Sequence, residues 1–441
     1  MGFKSGSISL SMLSELDKYV VSNPFPFALN LANGNGMWLE TVDGQRLFDW
    51  AGYYGSKLIG HNHPRLSEPE YTKRLLCAAN NKVANPDFLT PECLEYYRLV
   101  HQLAPECMKN DRLEVYCVNS GAEAVENMMK YFINLHIQKR AAKGSQPARR
   151  RFIYFEQAFH GRTVFALNVT QLAHDPLITR DYHGFDHGNL QIPFPALNSK
   201  LTEAENRQQT DDAVAQLESI LKQYGEEIVG IILEPLQGAG GHRLAYPEFY
   251  QKLSELAHQY DVSLGFDEVQ TAGGQTGTFF AIDQFNLPYP PSAVAAGKKL
   301  GCGVVYMLYP MDDHGVLDST WGGTLADMVR FAQEMRIVRE EGLIESVPEK
   351  TERLVAKLND LAFRYPDIML NVRGMGLYQG FSLASPGIKA KLMEAALEEG
   401  LLLLGAGPTT VRLRPNLNVT IEDIDLLAEI LDRCLAGIPQ E

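Results

Sequence analysis

The sequence predicts an α/β protein: a mostly parallel sheet with helices on both faces, followed by a smaller C-terminal α+β domain. Three observations predict it. The chain has 441 residues, too many for one compact core. Short apolar runs alternate with longer helical patterns through its first two thirds, the rhythm of parallel strands joined by crossover helices. After Trp321-Gly322-Gly323 that rhythm gives way to long helices and paired strands.

The elements follow in order. The stretch to about Ile59 is mixed, with Met37–Leu39 and Arg46–Phe48 reading as a hairpin in which Asp43-Gly44 suits a tight primed turn. Helix Pro91–Leu103 precedes strand Leu113–Val118, and helix Ala122–Gln138 precedes strand Arg151–Glu156. The basic run Lys139 to Arg151, broken by Gly144, Ser145 and Pro147, reads as a solvated loop. Helix Asp211–Tyr224, strand Ile228–Leu233, helix Pro247–Tyr260 and strand Val262–Phe266 continue the alternation, and a small apolar strand from Ala293 runs straight into Lys298 and Lys299. Beyond lie helices Leu325–Leu343 and Glu349–Phe363, paired strands within Ile368–Leu383 around Gly374 and Gly376, helix Ile388–Glu399, strand Thr410–Leu413 and helix Ile421–Leu435. The expected division is an N-terminal segment (1–60) packed with the small domain, a large domain (61–324) and the small C-terminal domain (325–441).

Composition removes several classes of function. Apolar residues make up 45% and charged residues 21%, which excludes wholesale disorder and fibrous architectures. No apolar run approaches the ~18 residues of a membrane-spanning helix. The net charge of −14 repels phosphate backbones and anionic lipid, so neither nucleic acid nor membrane is an expected partner. Six cysteines without a CxxC pair speak against a disulfide framework or a metal site and for a reducing compartment. Met1-Gly2-Phe3-Lys4-Ser5 opens no signal-peptide pattern, and Gly6 breaks the myristoylation pattern, so a cytoplasmic location is expected.

The chemistry gathers at strand ends. Asp267 closes the apolar run ending at Phe266; alone, such an acid caps a helix or meets solvent as readily as it acts. Lys298 and Lys299 change the balance, because lysine after a buried run is unfavourable unless paired or covalently used. A carboxylate facing a ring nitrogen and a lysine forming a Schiff base are the two protein partners that pyridoxal phosphate requires. Ser120, Gly121 and Ala122 stand between a strand and a helix, where free amides suit a phosphate dianion or where Ser120 serves as a plain cap.

Five segments stand in a telling order: Ser120-Gly121-Ala122-Glu123-Ala124, Phe159-His160-Gly161-Arg162-Thr163, Leu233-Glu234-Pro235, Phe266-Asp267-Glu268-Val269-Gln270-Thr271 and Gly297-Lys298-Lys299-Leu300-Gly301. Together they resemble the class III, pyridoxal-phosphate-dependent aminotransferases of fold type I, over nearly the whole chain. The resemblance implies Lys298 as the Schiff-base lysine, with Lys299 structural, Asp267 facing the pyridine nitrogen and Gln270 bonding the ring hydroxyl. It implies Ser120, Gly121 and Ala122 around the phosphate, Phe159 stacked on the ring, and His160 and Glu234 among the cofactor-binding residues. Ser319-Thr320-Trp321-Gly322 resembles the segment by which a partner subunit gives a hydroxyl, here Thr320, to the phosphate, implying a homodimer with shared sites.

Within the class, Asp318 to Gly323 followed by Leu325 and Asp327-Met328-Val329-Arg330 looks most like the L-lysine 6-aminotransferases, with the GABA aminotransferases as near relatives. That implies Arg162 on the substrate carboxylate and Arg412 on the 2-carboxylate of 2-oxoglutarate, since a planar guanidinium fork matches a carboxylate. Tyr54 is expected to line the pocket. One position departs: Ala239, in Gln237-Gly238-Ala239-Gly240-Gly241, stands where those families carry a switch Glu that pairs with the second Arg. The implied reaction moves the terminal amine of an ω-amino acid, with L-lysine as the leading donor, to 2-oxoglutarate in a ping-pong cycle giving 2-aminoadipate 6-semialdehyde. Other class III donors (GABA, ornithine, diaminobutyrate, a diamine) and an aminomutase or racemase on the same scaffold stay open.

Overall fold

The computed structural model describes residues 3–21, 23–147, 149–182, 188–311 and 315–438. Met1 and Gly2, on which the readings of a leader and of myristoylation partly rest, lie outside the described residues.

A seven-stranded sheet forms the centre, in the order Glu114–Val118, Gly303–Met307, Ala293–Ala296, Ser263–Asp267, Ile228–Leu233, Arg151–Phe155, Leu190–Ile192. Four of its six pairings are parallel. Gly303–Met307 runs antiparallel to both neighbours. Its run Gly-Val-Val-Tyr-Met carries no direction of its own; the chain turns straight back after Gly301, leaving no room for the crossover a parallel strand needs. Ile228–Leu233 is buried at every position, as expected of a central strand covered on both faces.

Helix Gly121–Ala142 lies across one face, and two strand glycines let it approach closely. A Cβ at Gly230 would lie 2.5 Å from Phe132 Cδ2, and one at Gly265 would lie 2.7 Å from Met128 Sδ. The helix continues past Gln138 into the run expected to be loop. Its extra turn has partners: Lys139 ion-pairs with Asp261, and Arg140 Nη2 donates to the Gly225 carbonyl.

Helices Val347–Arg364, Pro386–Glu398 and Ile421–Ala436 accompany a four-stranded antiparallel sheet ordered Met369–Met375, Tyr378–Leu383, Thr410–Arg412, Leu404–Ala406. A third sheet joins the two ends of the chain: Arg46–Asp49 pairs with Trp38–Glu40 on one side and, in parallel, with Leu401–Leu402 on the other. The hairpin exists, but its turn spans residues 41–45 instead of two residues. Asp43 is used elsewhere, accepting from the Ile8 and Ser9 amides at the start of helix Ser7–Leu16, an element the mixed N-terminal pattern did not reveal. No helix among the described residues is long and apolar enough to cross a membrane.

Candidate active site

Asp267 is the last residue of its strand and sits opposite Ala295, so the loop that follows Ala296 brings Lys298 to the same sheet edge. Asp267 is 5% exposed. Its Oδ2 lies 2.8 Å from His160 Nδ1 and its Oδ1 accepts from the Val269 amide. Burial acts to lower the His160 pKa, but the hydrogen bond and charge of Asp267 outweigh it and hold the imidazole above its ordinary value. His160 Nε2 is buried with no partner among the described residues.

Glu234 stands one layer behind. Its two oxygens accept from the Phe159 and Gly238 amides, so it ties the Phe159 loop to the Gly238 loop through main chain. Burial, reinforced by Asp267, pushes its carboxyl up to about 7. Gln270 reaches Gly238, where a Cβ would lie 2.1 Å from its Oε1, and that oxygen is buried and unbonded among the described residues.

Lys298 has φ +50, in the left-handed region, and its Nζ donates to the Tyr54 carbonyl at 2.9 Å. Burial, then repulsion from Arg412 and Arg414, brings its pKa down to about 8. Lys299 turns the other way: 1% exposed, it donates to the carbonyls of Gly55 and Gln270 and to Tyr378 Oη. The segment both lysines touch is unusual. Gly52, Tyr53, Tyr54 and Gly55 have φ of +53, +49, +61 and +77, a full left-handed turn, in which each tyrosine costs roughly 1–2 kcal/mol.

Ser120 caps helix Gly121–Ala142, its Oγ accepting from the Glu123 amide. The amides of Gly121 and Ala122 carry no hydrogen bond among the described residues. They open a helix of 22 residues at the edge where Asp267 and Lys298 end their strands, the polarity and free donors a phosphate dianion takes. Gly121 is packed tightly there: a Cβ would lie 2.5 Å from Val269 Cγ1, and Gly297 approaches its Cα.

Arg412 ends strand Thr410–Arg412 and is 6% exposed, yet its Nε and Nη1 have no partner among the described residues. Burial lowers its pKa to about 10, with Glu234 the principal opposing charge. No carboxylate bonds it among the described residues, and Ala239, half-buried on the neighbouring loop, offers none. Arg162 is exposed and without a hydrogen bond or ion pair among the described residues, on the loop where Gly161 packs against Ala122. Thr320 is exposed too; beside it Ser319 Oγ accepts from Asn119.

Asp267, His160, Glu234, Phe159, Gln270, Lys298, Tyr54 and Arg412 therefore converge by contact or charge, whereas Arg162 and Thr320 stand at the rim. Sequence reasoning did not find His242 or Tyr378. His242 is wholly buried, accepting from Arg414 Nη2 at Nδ1 while Nε2 faces the Tyr378 carbonyl, and Tyr378 lies under Arg414 at 4.3 Å. Neither sits in a motif, so nothing in the sequence pointed to them.

The residues fit pyridoxal phosphate: a buried carboxylate backed by a histidine, an amine of depressed pKa, an orphaned Gln270 oxygen and free helix-start amides share one sheet edge. A family model, "Aminotransferase class-III", matches residues 20–435. The L-lysine-epsilon aminotransferase of Mycobacterium tuberculosis is 31% identical over 93% of this chain and 92% of its own. That of Amycolatopsis lactamdurans is 31% identical over 96% of this chain and 95% of its own. A solved lysine aminotransferase from M. tuberculosis superposes with a TM-score of 0.91 at 30% identity, covering 97% of this chain and 99% of that one.

Proposed function

The chain belongs to the class III aminotransferases, pyridoxal-phosphate-dependent enzymes that pass an amine from a donor to a keto acid, and from that premise we propose that it moves the ε-amine of L-lysine to 2-oxoglutarate. The observation that carries the reading is the meeting of Asp267 and Lys298 at the ends of neighbouring strands, near the buried guanidinium of Arg412, whose Nε and Nη1 have no partner among the described residues. Lysine as donor is supported by the relatives just named.

When bound, pyridoxal phosphate supplies an electron-poor ring that spreads the charge left as a proton leaves the amine-bearing carbon. The chain's part is binding, orientation and proton handling. The amides of Gly121 and Ala122, capped by Ser120, would hold the phosphate, joined by Thr320 of a second subunit, and Phe159 and Gln270 would hold the ring. Asp267, oriented by His160, would hold a proton at the ring nitrogen. Lys298 Nζ takes the proton from the substrate carbon and returns it one step later, for which a pKa near working pH is suited. Arg162 orients the far carboxylate of the donor, and Arg412 grips the 2-carboxylate of the acceptor. Residues 61–324 would then hold the cofactor, with 1–60 and 325–441 closing over it.

A homodimer is supported by the exposed apolar residues Phe88, Leu89 and Trp321, which gather where Asn85 donates to the Trp321 carbonyl. A cytoplasmic setting is supported by the six free cysteines.

The test is a panel of amino donors (lysine, ornithine, GABA, 2,4-diaminobutyrate, putrescine, alanine) mixed singly with the loaded enzyme, following loss of the visible absorbance of the lysine-bound cofactor. Lysine should discharge it fastest and yield an aldehyde, with glutamate formed when 2-oxoglutarate is added. A faster discharge by another donor, or turnover that needs no keto acid, overturns the lysine reading.

A further inference from the structure

The left-handed turn Gly52–Gly55 presents a difficulty that the motifs do not resolve. Two adjacent tyrosines hold positive φ beside Lys298, and Tyr54 is 53% exposed, so its own burial does not keep the conformation in place. Something outside the turn must over-determine it. At its start, Asp49 Oδ1 accepts from the Ala51 and Gly52 amides, and Asp49 Oδ2 is bonded to His61. At its end the fastening is Lys299.

Lys299 Nζ lies 3.1 Å from the Gly55 carbonyl, 2.5 Å from the Gln270 carbonyl and 2.9 Å from Tyr378 Oη. Three acceptors match the three donors of an ammonium, and they come from three places: the N-terminal turn, the loop after Asp267, and strand Tyr378–Leu383. Tyr378 Oη also donates to the Gly55 carbonyl, and a Cβ at Gly55 would meet that hydroxyl at 3.0 Å, so the turn is seated against it. No carboxylate pairs with Lys299 among the described residues; the charges that act on it are the cations Lys298 and Arg414 and, less strongly, the carboxylate Glu268. Such a site is costly to build around a lysine, and an apolar side chain of the same length would fill it more cheaply if packing were the whole purpose.

We propose that Lys299 is a positioning residue: by bonding the Gly55 and Gln270 carbonyls and the Tyr378 hydroxyl, it holds the left-handed turn in register with Lys298 and so fixes the wall that Tyr54 presents to the amino donor. Lys298 and Lys299 thus divide the work of one dipeptide, the first facing the reaction and the second, turned the opposite way, holding the main chain to which the first donates. The inference rests on the reading of Lys298 as the reacting amine, but its main readout does not depend on amine transfer.

The experiment is hydrogen exchange on the full-length holoenzyme, comparing the parent with Lys299→Met and Tyr378→Phe. The informative amides are those of Gly55, Ser56 and Lys57, which donate back to Ala51 and Gly52 across the turn. In Lys299→Met they should exchange at least about tenfold faster while strands of the central sheet keep their protection, because a clamp acts on local opening. Donor KM should rise about tenfold with a smaller change in kcat, since the wall and not the proton step is disturbed. Tyr378→Phe, which keeps two of the three bonds, should move both quantities the same way by less, and it decides the matter if Lys299→Met does not fold. Unchanged exchange at those amides, acceleration spread through the central sheet, or a donor KM within about threefold of the parent overturns the assignment. Loss of activity in Lys298→Ala together with normal exchange in Lys299→Met would sink this inference and leave the transfer reading standing.

Discussion

Single side chains set the proton chemistry. Lys298 ordinarily would titrate at 10.5, but burial and the two arginines bring it down to about 8, so between those values it is neutral in the folded chain and charged in the unfolded one. The unfolded state then binds more protons, and this group's contribution to stability rises with pH across that window. Covalent capture of pyridoxal phosphate by the cofactor-stripped chain should likewise rise with pH and reach its midpoint near 8, read as the borohydride-trapped adduct. A midpoint near 10.5 would place Lys298 in water. Asp267→Asn should slow a single half-reaction by at least about 10²-fold while His160 loses the charge that raises its pKa; a near-normal rate would mean that some other acid faces the ring nitrogen. Ala239→Glu tests the missing switch. A carboxylate offered to the under-bonded guanidinium of Arg412 should change the ratio of lysine to glutamate kcat/KM by about 5- to 150-fold, on the order of 1–3 kcal/mol, in favour of lysine. A constant ratio would show that another group gates Arg412.

Elements place those side chains, and the start of helix Gly121–Ala142 is the most constrained of them. Gly121→Ala puts a Cβ 2.5 Å from Val269 Cγ1, and Val is stiff at that atom, so the helix start must lift. The expected outcome is a loss of about 1–3 kcal/mol in thermal unfolding together with weaker cofactor binding; an unchanged cofactor titration would remove this helix start from the phosphate site. Much of this level was legible in the sequence. Ile228–Leu233 matches to the residue because a strand buried on both faces is a bare apolar run between turns. Asp267 and Lys298 were legible because residues that chemistry needs stood at strand ends. Gly303–Met307 escaped because an apolar pentapeptide says nothing about direction, and the last turn of Gly121–Ala142 because Lys139 and Arg140 read as solvated until Asp261 and Gly225 supply their partners. The left-handed turn and the Lys299 clamp could not be read at all: they exist only once residues from three regions of the chain are in contact.

The whole molecule is expected to work as a pair. Phe88 and Leu89 are 67% and 70% exposed beside Trp321 and Thr320, so Leu89→Glu should shift sedimentation toward monomer and reduce cofactor occupancy with it. Full occupancy in a proven monomer would refute the shared site. The sheet that joins the two ends of the chain matters before any of this begins. Arg46–Asp49 waits for Leu401–Leu402, and the Gly60 amide waits for Asn418, 358 residues later. At a ribosome's pace of roughly 5–20 residues per second, the edge of that early strand stands open for on the order of tens of seconds, a template for unwanted pairing with other nascent chains. Biogenesis of this enzyme is therefore its exposed moment: a chain released short of Leu401 would keep that edge permanently bare and should be retained by holdase chaperones or found in aggregates, however complete its central sheet.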